Sequence, residues 1–363
     1  MLEEIKPRYA RYIRLHADKG DSSVASFSQQ WAKRYLKNIQ ARSQATKNPA
    51  DEESEMDPLR QRGAIAYNLR QCLRLTIARA WSQTEIVLAE PLQQQGMDAP
   101  VLNSWEIAAK AHQMYEKVLQ MYAEGQSPQQ VAGTLGPQLG KLRQEYITLD
   151  PLALGFVNLH CYYTARLLTQ EAPESEQLLL GSYFKVIQEY LNMPLQRLYE
   201  AAGETELDSV ALGAVQQLLL ASRDIAQQVC DRAIELYPKY RSASGSLEDP
   251  QVKNSSLRDV EMFLVYLWVC VLENSIAPVQ QELFPLCVML YPHLGVKWDL
   301  VRQMLNLLGQ QLRDRLSDEE CALFVPYLQA MWEMFSPAVF EPQSKCDSFA
   351  FESIESLGNW VVG

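Results

Sequence analysis

Apolar positions in this chain recur every three or four residues over most of its length, the spacing that lines one face of an α-helix. In the stretch 23–42, opening at Ser22 or Ser23, Phe27, Trp31, Tyr35 and Ile39 stand four apart and form one stripe that needs a partner. The stretch 43–57 is polar, contains Pro49 and has little to bury, so a linker or loop is expected. Helical spacing returns from Pro58 to Leu88, with Leu69, Leu73, Ile77, Ala80 and Trp81 on one face. Further helices are predicted over about 103–124 and 138–147, with Ser127–Pro128 as a cap and first-turn pair between them. Asp150–Pro151 restarts the chain into a helix over 152–170 that ends before Pro173.

The second half is more apolar. Helices are predicted over 176–201, 210–237, 258–272, 279–291, 299–315 and 318–335. The run Met262 to Leu272 is apolar on every side, which marks the helix over 258–272 as the central buried one. Strand evidence is poor, because there is no sustained apolar–polar alternation and no Asn-Gly or Asp-Gly turn. The predicted fold is therefore all-α. It divides into an N-terminal helix and polar linker (1–57), a helical domain (58–175), a C-terminal helical domain (176–336) and a tail (337–363).

Charge sharpens this division. The chain of 363 residues carries a net charge of −11, yet residues 1–80 hold 15 Lys/Arg against 9 Asp/Glu. Much of the basic excess lies on the helix over 58–88, at Arg60, Arg62, Arg70, Arg74 and Arg79. A solvated Arg-rich face explains it, and so does a surface that docks on an acidic partner. The acidic remainder would repel phosphates and no basic–aromatic module is present, which argues against nucleic acid. The longest apolar run is too short to span a bilayer and the N-terminus has no secretory pattern, so a cytoplasmic protein without membrane insertion is expected. Seven scattered cysteines with no CxxC pair read as reduced thiols, several buried as small hydrophobes.

Four short stretches, in order, carry a resemblance. They are Ile225 to Pro238; Ser256-Leu257-Arg258-Asp259-Val260-Glu261-Met262; Leu290-Tyr291-Pro292-His293-Leu294-Gly295-Val296; and Ser317-Asp318-Glu319-Glu320 with Pro326-Tyr327-Leu328 and Met334-Phe335-Ser336. Over about 180–336 the chain resembles the phycobiliproteins, the globin-like light-harvesting subunits of cyanobacterial and red-algal phycobilisomes. The second stretch is similar to the family's Cys-Leu-Arg-Asp segment, whose cysteine anchors a bilin through a thioether. Here that position is Ser256, whose hydroxyl is a far poorer nucleophile than a thiolate, so no covalently attached bilin is expected.

Arg258 and Asp259 are retained. The resemblance implies contacts from them to a bilin's propionate and pyrrole nitrogens, which leaves a non-covalent bilin conceivable. The structural reading is that Asp259 caps the start of a helix and Arg258 pairs with a nearby carboxylate. Bulky Phe263, Tyr266 and Trp268 on the same segment lead us to expect the matching cleft to be filled.

Other chemistry finds little support. His16, His112, His160 and His293 form no metal-ligand set, and His293 sits in a turn instead of mid-helix over a haem pocket. The stretch GTLGPQLG at 133–140 lacks the strand and the Lys-Ser/Thr pair of a phosphate loop. Aromatic residues Phe263, Tyr266, Trp268, Trp298 and Trp332 are expected to pack as core. The resemblance implies a non-catalytic phycobilisome-related interaction or regulatory protein at the thylakoid surface. Its partners would be other phycobilisome components or further copies of the chain. Two rivals are a globin-like sensor holding a bilin or other apolar ligand non-covalently, and a bilin lyase-type accessory factor.

Overall fold

Helices account for nearly all of the computed structural model, which describes residues 31, 32, 34, 57–94 and 103–336. Phe27, Tyr35 and Ile39, the linker up to residue 56 and the tail 337–363 lie outside the described residues. Eleven α-helices are present among the described residues. They are α1 (Pro58–Gln94), α2 (Ser104–Ala123), α3 (Pro128–Leu149), α4 (Pro151–Glu171), α5 (Glu174–Asn192) and α6 (Leu195–Glu204), followed by α7 (Val210–Leu236), α8 (Pro250–Glu273), α9 (Phe284–His293), α10 (Trp298–Arg313) and α11 (Asp318–Met334). A two-stranded ribbon, β1 (Arg241–Ser242) and β2 (Gly245–Ser246), precedes α8, and a π-helical turn over Val279–Leu283 leads into α9.

The predicted all-α architecture stands, with three local corrections. The helix expected at 138–147 begins ten residues earlier, at Pro128. Ser127 accepts from the Gln130 backbone N–H while the Gln130 side chain accepts from the Ser127 N–H, a reciprocal cap that starts the helix there. Two glycines and Pro137 disguise its first half as a loop, and packing overrides them. A Cβ on Gly136 would stand 2.6 Å from the Tyr190 ring of α5, so only glycine lets the two helices approach this closely. Gly136→Ala is therefore expected to destabilise the protein by about 1–3 kcal/mol in urea unfolding. Helix propensity alone predicts the opposite sign.

The segment expected as one helix over 176–201 is two, because the Met193–Pro194 step interrupts it and α6 starts afresh at Leu195. The helix expected from 258 instead starts at Pro250, its first two turns too polar to show an apolar period. Asp259 thus lies in the third turn and cannot serve as an N-terminal cap.

Packing follows from which faces are apolar. Helix α1 lies against α2 and α4, while α5 packs on α3 and α4. In the C-terminal half α8 packs against α7 and α6, α10 against α7 and α11, and α9 reaches back to α4 and α1. Central α8 is buried continuously from Val260 to Val271, much as the apolar run from Met262 foretells. One apolar core runs continuously through both halves.

A polar network centred on buried Glu282 stitches the halves together. Arg143 of α3 donates to the Tyr266 hydroxyl at 2.6 Å and to Glu282 at 2.8 Å. The second Glu282 oxygen accepts from Arg197 of α6 at 2.6 Å, and Arg197 also forks onto Glu273 with two 2.7 Å bonds. Elsewhere, the indole of Trp31 is fully buried, donates to Glu189 at 2.8 Å and meets Trp268 edge-on at 6.4 Å between ring centres. Arg34 lies over the Trp31 ring and pairs with buried Glu261. The predicted N-terminal stripe thus has its partner at Trp31: the core itself.

Candidate functional site

The segment around Ser256 forms one wall of a cleft of about 290 Å³ between the two halves. Helix α8 contributes Ser255, Ser256, Arg258, Asp259 and Phe263. Opposite stands α4, with Gly155, Asn158, Tyr162, Tyr163 and Arg166. Apolar side chains of α9 and α10, among them Leu290, Leu300, Val301 and Met304, form the floor. The ribbon closes one end. Gly295, at φ +66°, turns the chain after α9 so tightly that a Cβ there would sit 2.9 Å from the Ala243 amide, and that amide donates to the Leu294 carbonyl.

The cleft is open, contrary to expectation, and α8 shows why. Tyr266 and Trp268 point away from it, Tyr266 into the Arg143–Glu282 network and Trp268 against Trp31, and both are fully buried. Phe263 alone of the three reaches the cleft wall, backed by the Phe335 ring 5.5 Å away. Trp298 stacks on the same Phe335 at 5.8 Å, while Trp332 lies under the Arg302 guanidinium.

Arg258 and Asp259 come together at the wall, but loosely. The guanidinium stands 3.6 Å from the Asp259 carboxylate and 5.8 Å from the Tyr162 ring centre. Asp259 remains reachable from the cleft although protein surrounds it, and this loss of hydration raises its pKa against the opposing pull of Arg258 and the Tyr291 hydroxyl. Burial likewise pushes the Tyr291 phenol up, with the nearby Asp259 charge adding to it.

On the α4 side, Asn158 is only 7% exposed, and neither end of its carboxamide has a hydrogen-bond partner. This second wall escaped the sequence reading. Asn158, Tyr162 and Arg166 recur at i, i+4 and i+8, a polar stripe on a helix of mostly apolar residues, and that spacing was the available signal.

The remaining candidates sit in the core or at the surface. His160 is fully buried, its Nε2 3.2 Å from the Ile77 carbonyl and its ring edge-on to Trp81, and burial lowers its pKa. His112 lies 3.6 Å from Glu116 on the α2 surface, His293 is in the last turn of α9, and His16 lies outside the described residues. Among the described residues no group of three or more His, Cys, Asp or Glu side chains converges, and no helix is long and apolar enough to cross a membrane.

Residues 192–334 match the family model for phycobilisome proteins. The C-terminal half is a phycobilisome-protein domain. No curated protein and no solved structure matches the chain. The match begins at the end of α5, so the α4 wall of the cleft lies outside the matched residues.

The phycobilisome domain's resemblance implies a bilin, and the residues do not fit one covalently. Among the described residues no cysteine lines the cleft. Cys230 and Cys287, whose thiols feel the Asp259 charge, are buried, and loss of hydration pushes Cys230 to about 12 and Cys287 higher still. Such thiols stay protonated and unreactive. Space is also short. A cleft of about 290 Å³ falls just short of the roughly 300–1,000 Å³ that take drug-sized ligands, and a linear tetrapyrrole is large on that scale.

Proposed function

We propose that this protein is a pigment-free, non-catalytic phycobilisome-related component that works by binding other proteins at the thylakoid surface. The reading is supported by a phycobilisome domain whose cleft has no cysteine among its described lining residues, with Ser256 where the resemblance puts the anchoring cysteine.

A contact surface of suitable chemistry lies on α1. Tyr67, Leu75 and Ile86 are exposed there, Ile86 at 84%, beside exposed Arg60, Arg74 and Arg79. At 3.6 residues per turn these six fall within about 140° of the helix circumference. Arginine interleaved with large apolar groups suits an acidic protein surface that also offers apolar pockets. Acidic phycobilisome subunits answer that description.

The protein purified from a bilin-producing host is expected to be colourless after denaturation, with no bilin fluorescence on its gel band. Mixed with phycobilisomes in low salt, it is expected to co-sediment, and Leu75→Glu with Ile86→Glu to weaken co-sedimentation at least tenfold while leaving the helical circular dichroism unchanged. A covalently pigmented chain, or one that stays monomeric and unbound beside phycobilisomes, overturns the proposal.

A further inference from the structure

The misfit between cleft and tetrapyrrole has a positive counterpart. Three observations converge on the cleft independently of any partner surface. First, its charged lining consists of Arg166, Arg258 and Asp259, two cations against one anion. Second, Arg258 makes only a 3.6 Å approach to Asp259, so its donors are far from saturated. Third, the buried carboxamide of Asn158 has no partner at either end, a state that normally costs stability unless something else satisfies it. The rest of the wall is mostly aliphatic and aromatic.

We propose that the cleft binds a small amphipathic monoanion, a medium-chain carboxylic acid in chemical class, with its head between Arg258 and Asn158 and its tail over the leucines of α10. Arg258 presents the guanidinium fork that matches a carboxylate, and the Asn158 amide donates a further bond from the facing helix. Tyr162 stands one turn beyond Asn158 on the same face and roofs the head with its ring. The volume of about 290 Å³ equals roughly ten waters of liquid and so admits a chain of about ten to fifteen heavy atoms. Because α4 supplies Asn158 and α8 supplies Arg258, a bound acid bridges the N-terminal helices to the phycobilisome domain.

The test is a calorimetric titration of the delipidated full chain with dodecanoate, dodecan-1-ol and biliverdin. Dodecanoate is expected to bind at one site per chain, at least tenfold more tightly than the alcohol, with affinity falling again for hexadecanoate. Arg258→Gln is expected to weaken dodecanoate about ten- to a hundredfold, the worth of a charge-assisted bond, and to leave the alcohol unchanged. Asn158→Leu is expected to raise the urea midpoint, since it removes an unsatisfied buried amide, while weakening dodecanoate at least tenfold. A purely structural asparagine would lower the midpoint instead. Equal affinity for acid and alcohol overturns the proposal, as does binding at several sites untouched by Arg258→Gln. Biliverdin binding one-to-one more tightly than dodecanoate also overturns it. Should Asn158→Leu fail to fold, the comparison of acid and alcohol on the unaltered chain still decides.

Discussion

Glu282→Ala is expected to destabilise the protein by about 3–5 kcal/mol, read as a lower midpoint in urea unfolding. The carboxylate is buried and accepts from Arg143, Arg197 and the Tyr266 hydroxyl at once. Removing it strands the Arg143 guanidinium, itself buried, with only the Tyr266 hydroxyl in reach. Arg197 keeps its fork on Glu273 and suffers less. The cost therefore lies chiefly in an unpaired buried cation, and pairing Arg143→Met with Glu282→Met should restore part of it. The double variant is expected to lose clearly less than the sum of the two singles. Strict additivity would mean that the network does not act as a unit.

Trp31→Ala is expected to cost about 3–5 kcal/mol, the range for emptying the site of a fully buried large aromatic. The side chain has no exposed surface, and its loss leaves a void beside Trp268 and withdraws a donor from buried Glu189. Glu189 retains Lys185 at 3.1 Å, which softens the electrostatic part. Trp31→Phe should accordingly cost less than the alanine variant, since it keeps most of the buried area and loses chiefly the hydrogen bond. An unchanged midpoint for Trp31→Ala would show that the N-terminal segment adds nothing to the core.

Much of this was legible along the chain. The apolar period of 3.6 located nearly every helix, and the solid run Met262–Leu272 marked α8 as the buried centre. The segments around Ser256, Leu290–Val296 and Ser317–Glu320 pointed to the phycobilisome domain. Errors fell where local chemistry and packing disagree. Glycine and proline at 133–140 weaken a helix locally, yet Gly136 is what the approach of Tyr190 requires. The polar opening of α8 lacks a stripe because one of its sides faces the cleft.

Elements and their buried faces thus followed from the sequence alone, because periodicity is a property of neighbours along the chain. The cleft belongs to the tertiary structure. Asn158 and Arg258 stand a hundred residues apart, and only the tertiary arrangement, with α4 packed on α9, makes them two walls of one space. Whether the aromatics of α8 fill that space was a matter of direction. Burial of Tyr266 on Arg143 and of Trp268 on Trp31 turns both rings toward the core, and the cleft stays open.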